Sequence, residues 1–136
     1  MQIIMSTDMK KSFIGFVKKV VTDSGYSVRV SSTLGNPIPK EGQIQITQLG
    51  GSGRKTLVTS NTSFIVSVWD LSESKASEIA RLIEAVFYAT EEIDGVPIYK
   101  HSTYGSPVLT HAPDSNDFKK VSFTVSFNHS LEVKDL

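Results

Sequence analysis

The segment with the clearest potential for chemistry is the glycine-rich stretch at 50–56, which reads Gly-Gly-Ser-Gly-Arg-Lys-Thr. A phosphate-binding loop needs a glycine directly before its lysine, and a following helix whose N-terminus faces the phosphates. Here Arg54 separates Gly53 from Lys55, and a strand pattern follows. The segment therefore favours a flexible connection between strands, in which glycines permit positive φ, over a nucleotide site.

Metal and nucleophile chemistry lack a recognisable pattern in this sequence. His101, His111 and His129 form no i, i+4 pair, and no glutamate stands at metalloprotease spacing, so surface or loop histidines are predicted. The chain has no cysteine, which excludes disulfides, thiolate catalysis and cysteine-bound zinc. No Gly-x-Ser-x-Gly elbow is present either. We therefore predict no enzyme activity, no metal and no cofactor.

A carboxylate cluster follows the second predicted helix. Glu91, Glu92 and Asp94 could perform acid/base chemistry if their environments separated their pKa values. Nothing in the surrounding sequence suggests an enclosing cleft, so a solvated turn is the favoured interpretation.

Composition predicts one globular domain spanning residues 1–136, with 39% hydrophobic and 21% charged residues. The apolar run 13–21 contains two lysines and is far shorter than the ~20 residues of a membrane span, so no membrane partner is expected. The N-terminus lacks the pattern of a secretory signal.

Charge is unevenly distributed along the chain, although the net charge is zero. Residues 1–60 carry 8 basic and 3 acidic side chains (+5), whereas residues 61–136 carry 6 and 11 (−5). The favoured interpretation is that these charges intermix on the folded surface. The alternative is a pair of complementary surfaces that meet in a head-to-tail ring. Nucleic-acid binding by the lysines of 10–19 is a minor alternative, because no basic stripe adjoins exposed aromatic residues.

Periodicity predicts the elements that would position these residues. Apolar spacing predicts a first helix from a cap at Asp8 to about Asp23, with Gly25 as a left-handed exit. Strands are predicted at 26–31, around 44–46, and at 62–69, the last in the centre of the sheet. Asp70 and Glu73 predict a capping box for a second helix. The alternating strand 121–127 can lie at an edge.

This order of elements predicts an α+β fold: a mixed, mostly antiparallel sheet with two main helices packed on one side.

The order of short sequence words in the second half of the chain carries a family resemblance. The words are the strand 64–70 ending in Trp69-Asp70, the helix through 76–83, the short strand Gly95-Val96-Pro97-Ile98-Tyr99, the loop Gly105-Ser106-Pro107, the turn Pro113-Asp114-Ser115 and the strand 121–127. This order resembles the tail terminator proteins of long-tailed bacteriophages. The first half matches only in element order, and the segment 116–120 departs from the family's more basic or aromatic approach to the last strand.

The resemblance implies a structural protein of the virion, located at the head-proximal end of the tail and in the host cytoplasm during assembly. It implies a homohexameric ring that binds the last ring of the major tail tube protein, stops its polymerisation, and offers its other face to the head-completion (stopper) protein. DNA would be a partner only as it passes through the lumen. Seven residues are candidate protein contacts: Arg54, Lys55, Tyr104, Gly105, Ser106, Pro107 and Asp114. Another head-tail junction ring (stopper or adaptor), or a non-viral α+β binding module, remains the alternative.

Overall fold

The computed structural model describes residues 1–56, 58–110 and 117–136, excluding the side chains at positions 52, 106 and 110. These residues form two α-helices, α1 (Lys10–Asp23) and α2 (Glu73–Ala89). They also form eight β-strands: β1 (Gln2–Met5), β2 (Arg29–Ser31), β3 (Gln43–Arg54), β4 (Thr59–Asp70), β5 (Glu92–Ile93), β6 (Val96–Thr110), β7 (Lys119–Ser130) and β8 (Glu132–Asp135).

The described strands form a main sheet of six strands and a small two-stranded ribbon. The main sheet has the order β2-β3-β4-β7-β6-β5, and β1 pairs with β8 in the ribbon. The β2–β3 pair is parallel and the other pairs are antiparallel. The predicted fold class is therefore confirmed: an α+β fold with a mixed, mostly antiparallel sheet and two helices. Neither helix is both long and apolar enough to cross a bilayer.

The core lies between the helices and one face of the main sheet. Alternate residues of β4 and their partners on β7 share this face, as in the pairs Phe64–Val125 and Val66–Phe123. Phe13 of α1 stacks on Phe64 with ring centroids 4.5 Å apart. Each buried side chain of this size contributes about 1.5–3 kcal/mol, so this face holds the helices in place.

Local side-chain contacts fix where each helix begins. The predicted cap at Asp8 is one residue too early, because Met9 occupies the N-cap of α1 and makes no side-chain capping bond. The Asp8 carboxylate instead accepts a hydrogen bond from the Lys10 amide at 3.0 Å. At α2 the prediction of a capping box made by Asp70 and Glu73 was wrong. Asp70 is still the last residue of β4, so the cap falls to Ser72, whose hydroxyl accepts a hydrogen bond from the Lys75 amide at 3.2 Å.

Two strand predictions need correction. β7 is not an edge strand, because it lies between β4 and β6. Gly105-Ser106-Pro107 is predicted to form a loop, but it lies inside β6, which runs to Thr110 and forms the edge of the sheet beyond Pro97. Gly105 and Pro107 interrupt the alternation that identifies a strand, and the structure accommodates them in a bulge between Tyr104 and Val108.

Candidate functional site

The face of the main sheet opposite the helices is polar, and we call it the open face. It carries the other set of alternate residues of β4, β7 and β6, which are mainly serine, threonine, asparagine and tyrosine. Their hydroxyl and amide groups form a network across the strands. Asn61 donates to the Asn128 amide oxygen at 2.9 Å, and Ser63 donates to the Ser126 hydroxyl at 3.1 Å. This network lets small polar groups be buried without losing hydrogen bonds.

One end of the open face is covered by other parts of the chain. The Gln43 amide is fully buried: it donates to the Thr33 carbonyl at 2.6 Å and accepts from the Gly35 amide at 2.8 Å. At the same end, the Lys120 ammonium lies 5.3 Å from the centroid of the Trp69 ring. The cover is partial, because Ser122 and Val108 of the same face keep some exposure. The other end of the open face lies towards the β3–β4 turn.

The candidate contacts Arg54 and Lys55 lie where β3 meets that turn. The Arg54 guanidinium donates to the Ile4 carbonyl at 2.6 Å, which ties the end of β3 to the β1–β8 ribbon. The Lys55 side chain is exposed, and its backbone amide donates to the Thr59 carbonyl at 2.9 Å. Arg54 thus has a structural partner inside the chain, whereas Lys55 extends into solvent.

The remaining candidates lie on β6 rather than in the expected loop. Tyr104 is 63% exposed, and Gly105 adopts φ +67°, which permits the bulge that follows. Ser106 and Pro107 belong to the same bulge, and Pro107 is half-buried. Asp114 lies outside the described residues.

A groove on the open face, at the end next to the β3–β4 turn, brings Lys55 and Tyr104 together. It has a volume of about 550 Å³ and is formed by the β3–β4 turn and by β4, β6 and β7. Tyr99 and Lys100 also line it. Sequence reasoning did not connect these two residues with Lys55, since 44 positions separate Tyr99 from Lys55 and only the strand order shows that they meet.

A second groove, of about 930 Å³, lies between α1 and the turn that connects β5 with β6. Lys11 and Lys19 line it together with Glu92 and Asp94. The Ser12 hydroxyl donates to the Asp94 carboxylate at 3.0 Å. Charges from the basic and acidic halves of the chain therefore intermix here, and the carboxylates face solvent and lysines.

The two described histidines have protein partners. His101 Nε2 lies 2.6 Å from the Thr90 carbonyl. His129 is buried, which corrects the prediction of a surface or loop position for this residue. Its Nδ1 donates to the Ser130 carbonyl at 3.0 Å, because a carbonyl oxygen only accepts, and its Nε2 lies 2.7 Å from the Thr62 hydroxyl. Within residues 1–56, 58–110 and 117–136, no group of three or more potential ligands is arranged to hold a metal.

One tyrosine has a perturbed acidity. Hydrogen bonding to the Glu78 carboxylate, followed by partial desolvation and the Glu78 charge, raises the pKa of the Tyr26 phenol above its usual value. This pair joins the segment after α1 to helix α2 and lies outside both grooves.

Comparison with family models and with curated sequences gives no identity for the chain. No protein-family model matches the sequence, and no curated protein matches it. Function must therefore be inferred from the geometry of the chain and from the sequence resemblance.

A further feature of functional interest is the outer edge of β6. The short strand β5 pairs only with Val96 and Pro97, and no described strand pairs with the outer edge beyond them. Val108 is 57% exposed and Leu109 is 44% exposed. Their partners on β7 are Ser122 on the open face and Val121 on the core face, so apolar side chains stand on both sides of this edge.

Proposed function

We propose that the protein is the tail terminator of a long-tailed bacteriophage, a non-enzymatic structural protein that assembles into a ring, caps the tail tube and presents a surface for head attachment. The elements that carry the sequence resemblance, β4, α2, β6 and β7, pack against one another. The observation that carries the proposal is the apolar outer edge of β6. An exposed edge strand with apolar side chains is a template for pairing with another chain.

The main sheet has a second, different edge, which supports a ring rather than a symmetric dimer. β2 pairs with β3 only at residues 43–45, and no described strand pairs with β3 on its outer side from Thr47 to Arg54. An interface between two dissimilar edges is heterologous, and such interfaces generate closed rings when the rotation allows it. We propose that the β6 edge of one subunit meets the β3 edge of the next, and the number of six subunits follows from the resemblance alone.

The capping mechanism is physical. The free end of a growing tube is a template for the next subunit, and a ring that matches this end on one face but not on the other cannot be extended. We propose that one ring face binds the major tail tube protein and the other binds the head-completion protein. Lys55, Tyr104 and the Gly105–Pro107 bulge are proposed contacts because they are in reach of a partner, and Asp114 stays a candidate from the sequence.

The ring is tested first with Val108→Lys. A lysine on an edge strand opposes pairing with a neighbour. Because Val108 is largely exposed, the free energy of unfolding is expected to change by less than ~0.5 kcal/mol. Sedimentation velocity should show rings for the wild type and monomers for the variant. Leu71→Lys is the matched control, because Leu71 is 48% exposed in the connection between β4 and α2, outside both edge strands of the main sheet. Rings that persist in Val108→Lys, or a wild-type protein that is monomeric at every concentration, would reject the edge-to-edge assembly.

The role in the tail is tested in an infected host. A stop codon at Trp69 removes α2, β6 and β7. Each large core side chain lost with them stabilises the fold by roughly 1.5–3 kcal/mol, so no folded remnant is expected. Electron microscopy of the lysate should then show filled heads without tails beside abnormally long tubes. Tails of normal length that fail to join heads would favour another junction ring, and intact infectious particles would reject both roles.

The second candidate is a non-viral α+β binding module. The observation that favours it is the groove between Lys55 and Tyr104, whose volume suits a small ligand. A stable monomer that binds a small molecule would support this candidate.

A further inference from the structure

The groove on the open face has an unusual lining. Each of its ten lining residues carries a hydrogen-bond donor on its side chain: two lysines, two asparagines, two tyrosines, two serines and two threonines. No carboxylate is among them. In a chain with equal numbers of acidic and basic residues, a groove with two ammonium groups and no acid has a local excess of positive charge. This lining suits an anion.

The floor and the rim of the groove differ in how their donors are used. On the floor, Asn61 donates to Ser126 at 3.1 Å and to Asn128 at 2.9 Å, so these groups mainly satisfy one another. At the rim, the side chains of Lys55, Lys100, Tyr99 and Tyr104 make no hydrogen bond or ion pair with any described residue. The rim therefore offers two cations and two aromatic rings to a ligand.

A β-bulge gathers the rim residues on one side. Tyr99 pairs with Asn128 and Ser102 with Ser126, so two residues of β6, Lys100 and His101, oppose a single residue of β7. In a regular strand, residues three positions apart point to opposite faces, but this bulge puts Tyr99 and Ser102 on the same face. Lys100 adopts φ +54° and lines the same groove. Such a backbone angle costs a non-glycine residue about 1–3 kcal/mol, and it is retained where it aims a side chain.

We infer that this groove binds a nucleotide phosphate, with the phosphate between Lys55 and Lys100 and the base stacked on Tyr104 or Tyr99. Lysine ammonium groups bind phosphate as point charges, and tyrosine rings on a sheet face stack bases without regard to their identity. The phosphate-loop geometry that is missing at 50–56 is not needed, because the donors are side chains of the β3–β4 turn and of β6. The ligand is either a free nucleotide or part of a single strand. The inference does not rest on ring assembly or on a role in a phage tail.

The test uses the whole protein and three probes: inorganic phosphate, adenosine monophosphate and a labelled oligothymidylate of about eight nucleotides, within the ~4–16 nucleotide range of stacking sites. Fluorescence anisotropy at low salt should show binding of the oligomer. Each phosphate contact to a single strand changes log K by about 0.7 per log unit of salt, so two lysines predict a slope near −1.4. Lys55→Gln and Lys100→Gln should each reduce that slope by about half.

The tyrosine variants separate stacking from charge. Tyr104→Leu should weaken oligomer binding by about 5- to 150-fold, whereas Tyr104→Phe keeps the ring and should bind like the wild type. Lys18→Gln is the matched lysine control, because Lys18 is exposed on α1, on the opposite side of the main sheet. Thermal unfolding of every variant confirms that it is folded.

The three probes also identify the source of the phosphate. Binding of adenosine monophosphate with the same dependence on Lys55 and Lys100 assigns the site to a free nucleotide, and binding of the oligomer alone assigns it to a single strand. Binding of inorganic phosphate alone, with no effect of Tyr104→Leu, overturns the nucleotide assignment. The inference is also rejected if no probe binds, or if Lys18→Gln weakens binding as much as the groove variants do.

Discussion

Gly42→Ala should be strongly destabilising, because two separate costs meet at this position. Gly42 has φ +95°, a conformation that costs an L-residue about 1–2 kcal/mol. A Cβ there would lie 2.8 Å from the Trp69 carbonyl oxygen and 2.7 Å from Asp70 Oδ2. Neither neighbour can move freely. The carbonyl belongs to β4, and the Asp70 carboxylate accepts from the Ser72 amide at 2.9 Å and pairs with Lys75 at 3.2 Å.

Overpacking of this kind costs about 1–3 kcal/mol, so the substitution should lower the free energy of unfolding by about 2–5 kcal/mol. The whole free energy of unfolding of a typical domain is ~5–15 kcal/mol. For a chain of this length, each kcal/mol lowers the unfolding temperature by roughly 3–5 °C, which gives a fall of about 6–25 °C. Urea unfolding followed by circular dichroism measures the free energy. Trp69, the one tryptophan of the sequence, reports locally by fluorescence. Protein concentration is held constant, since assembly would stabilise the fold.

Substitutions at two other glycines allow the backbone cost of positive φ to be measured separately from the steric cost of the added Cβ. Gly25 has φ +86° and no atom within 4 Å of the place that a Cβ would occupy, so Gly25→Ala isolates the backbone cost of about 1–2 kcal/mol. Gly15 lies inside α1, without positive φ and with open space around it, so Gly15→Ala should stabilise by about 0.5–1 kcal/mol. If Gly42→Ala and Gly25→Ala unfold at the same urea concentration, the close approach of Trp69 and Asp70 contributes nothing, and the reasoning fails.

Two further predictions concern charge. Because the folded-state pKa of Tyr26 is raised, the Tyr26–Glu78 interaction stabilises the fold below pH ~10 and is lost as the phenol ionises at higher pH. Ultraviolet difference absorbance between the wild type and Tyr26→Phe should show that the Tyr26 phenol titrates with a midpoint above about pH 10. Glu78→Gln should lower this midpoint, and an unchanged midpoint in that variant would contradict the assigned cause. If oppositely charged patches meet between ring subunits, raising salt should weaken assembly in sedimentation, since exposed charges are screened over about 10 Å at 0.1 M. Rings that are equally stable at all salt concentrations would leave the apolar β6 edge as the dominant contact.

Periodic elements could be predicted from the sequence, because burial of one face leaves a visible pattern. The first helix ends at Asp23 and Gly25 follows with positive φ, as predicted, and the strand ending near Trp69 is central in the sheet. The length of β6 could not be predicted, because Gly105 and Pro107 remove the alternation that signals a strand. The same limitation hid the edge that now carries the proposed assembly.

The candidate site was predictable only in part. Lys55 and Tyr104 were selected one by one from the sequence, and strand order brings them into one groove. Lys100 was missed because its role depends on a bulge and a positive φ, and neither leaves a trace in residue type when the residue is lysine. A bulge is set by pairing with a distant strand, which no local pattern encodes.

The long ladder between β4 and β7 has a consequence for how the chain folds during synthesis. Its paired residues lie 49 to 71 positions apart in the sequence. At ~5–20 residues per second, β4 emerges from the ribosome roughly 2–14 s before its partner strand β7. Phe64 can stack on Phe13 of α1 in this interval, but one backbone edge of β4 stays without its hydrogen-bond partners. Nascent chains would therefore be most prone to association with one another in this interval, and a chaperone that delays contact until β7 emerges would raise the yield of folded protein.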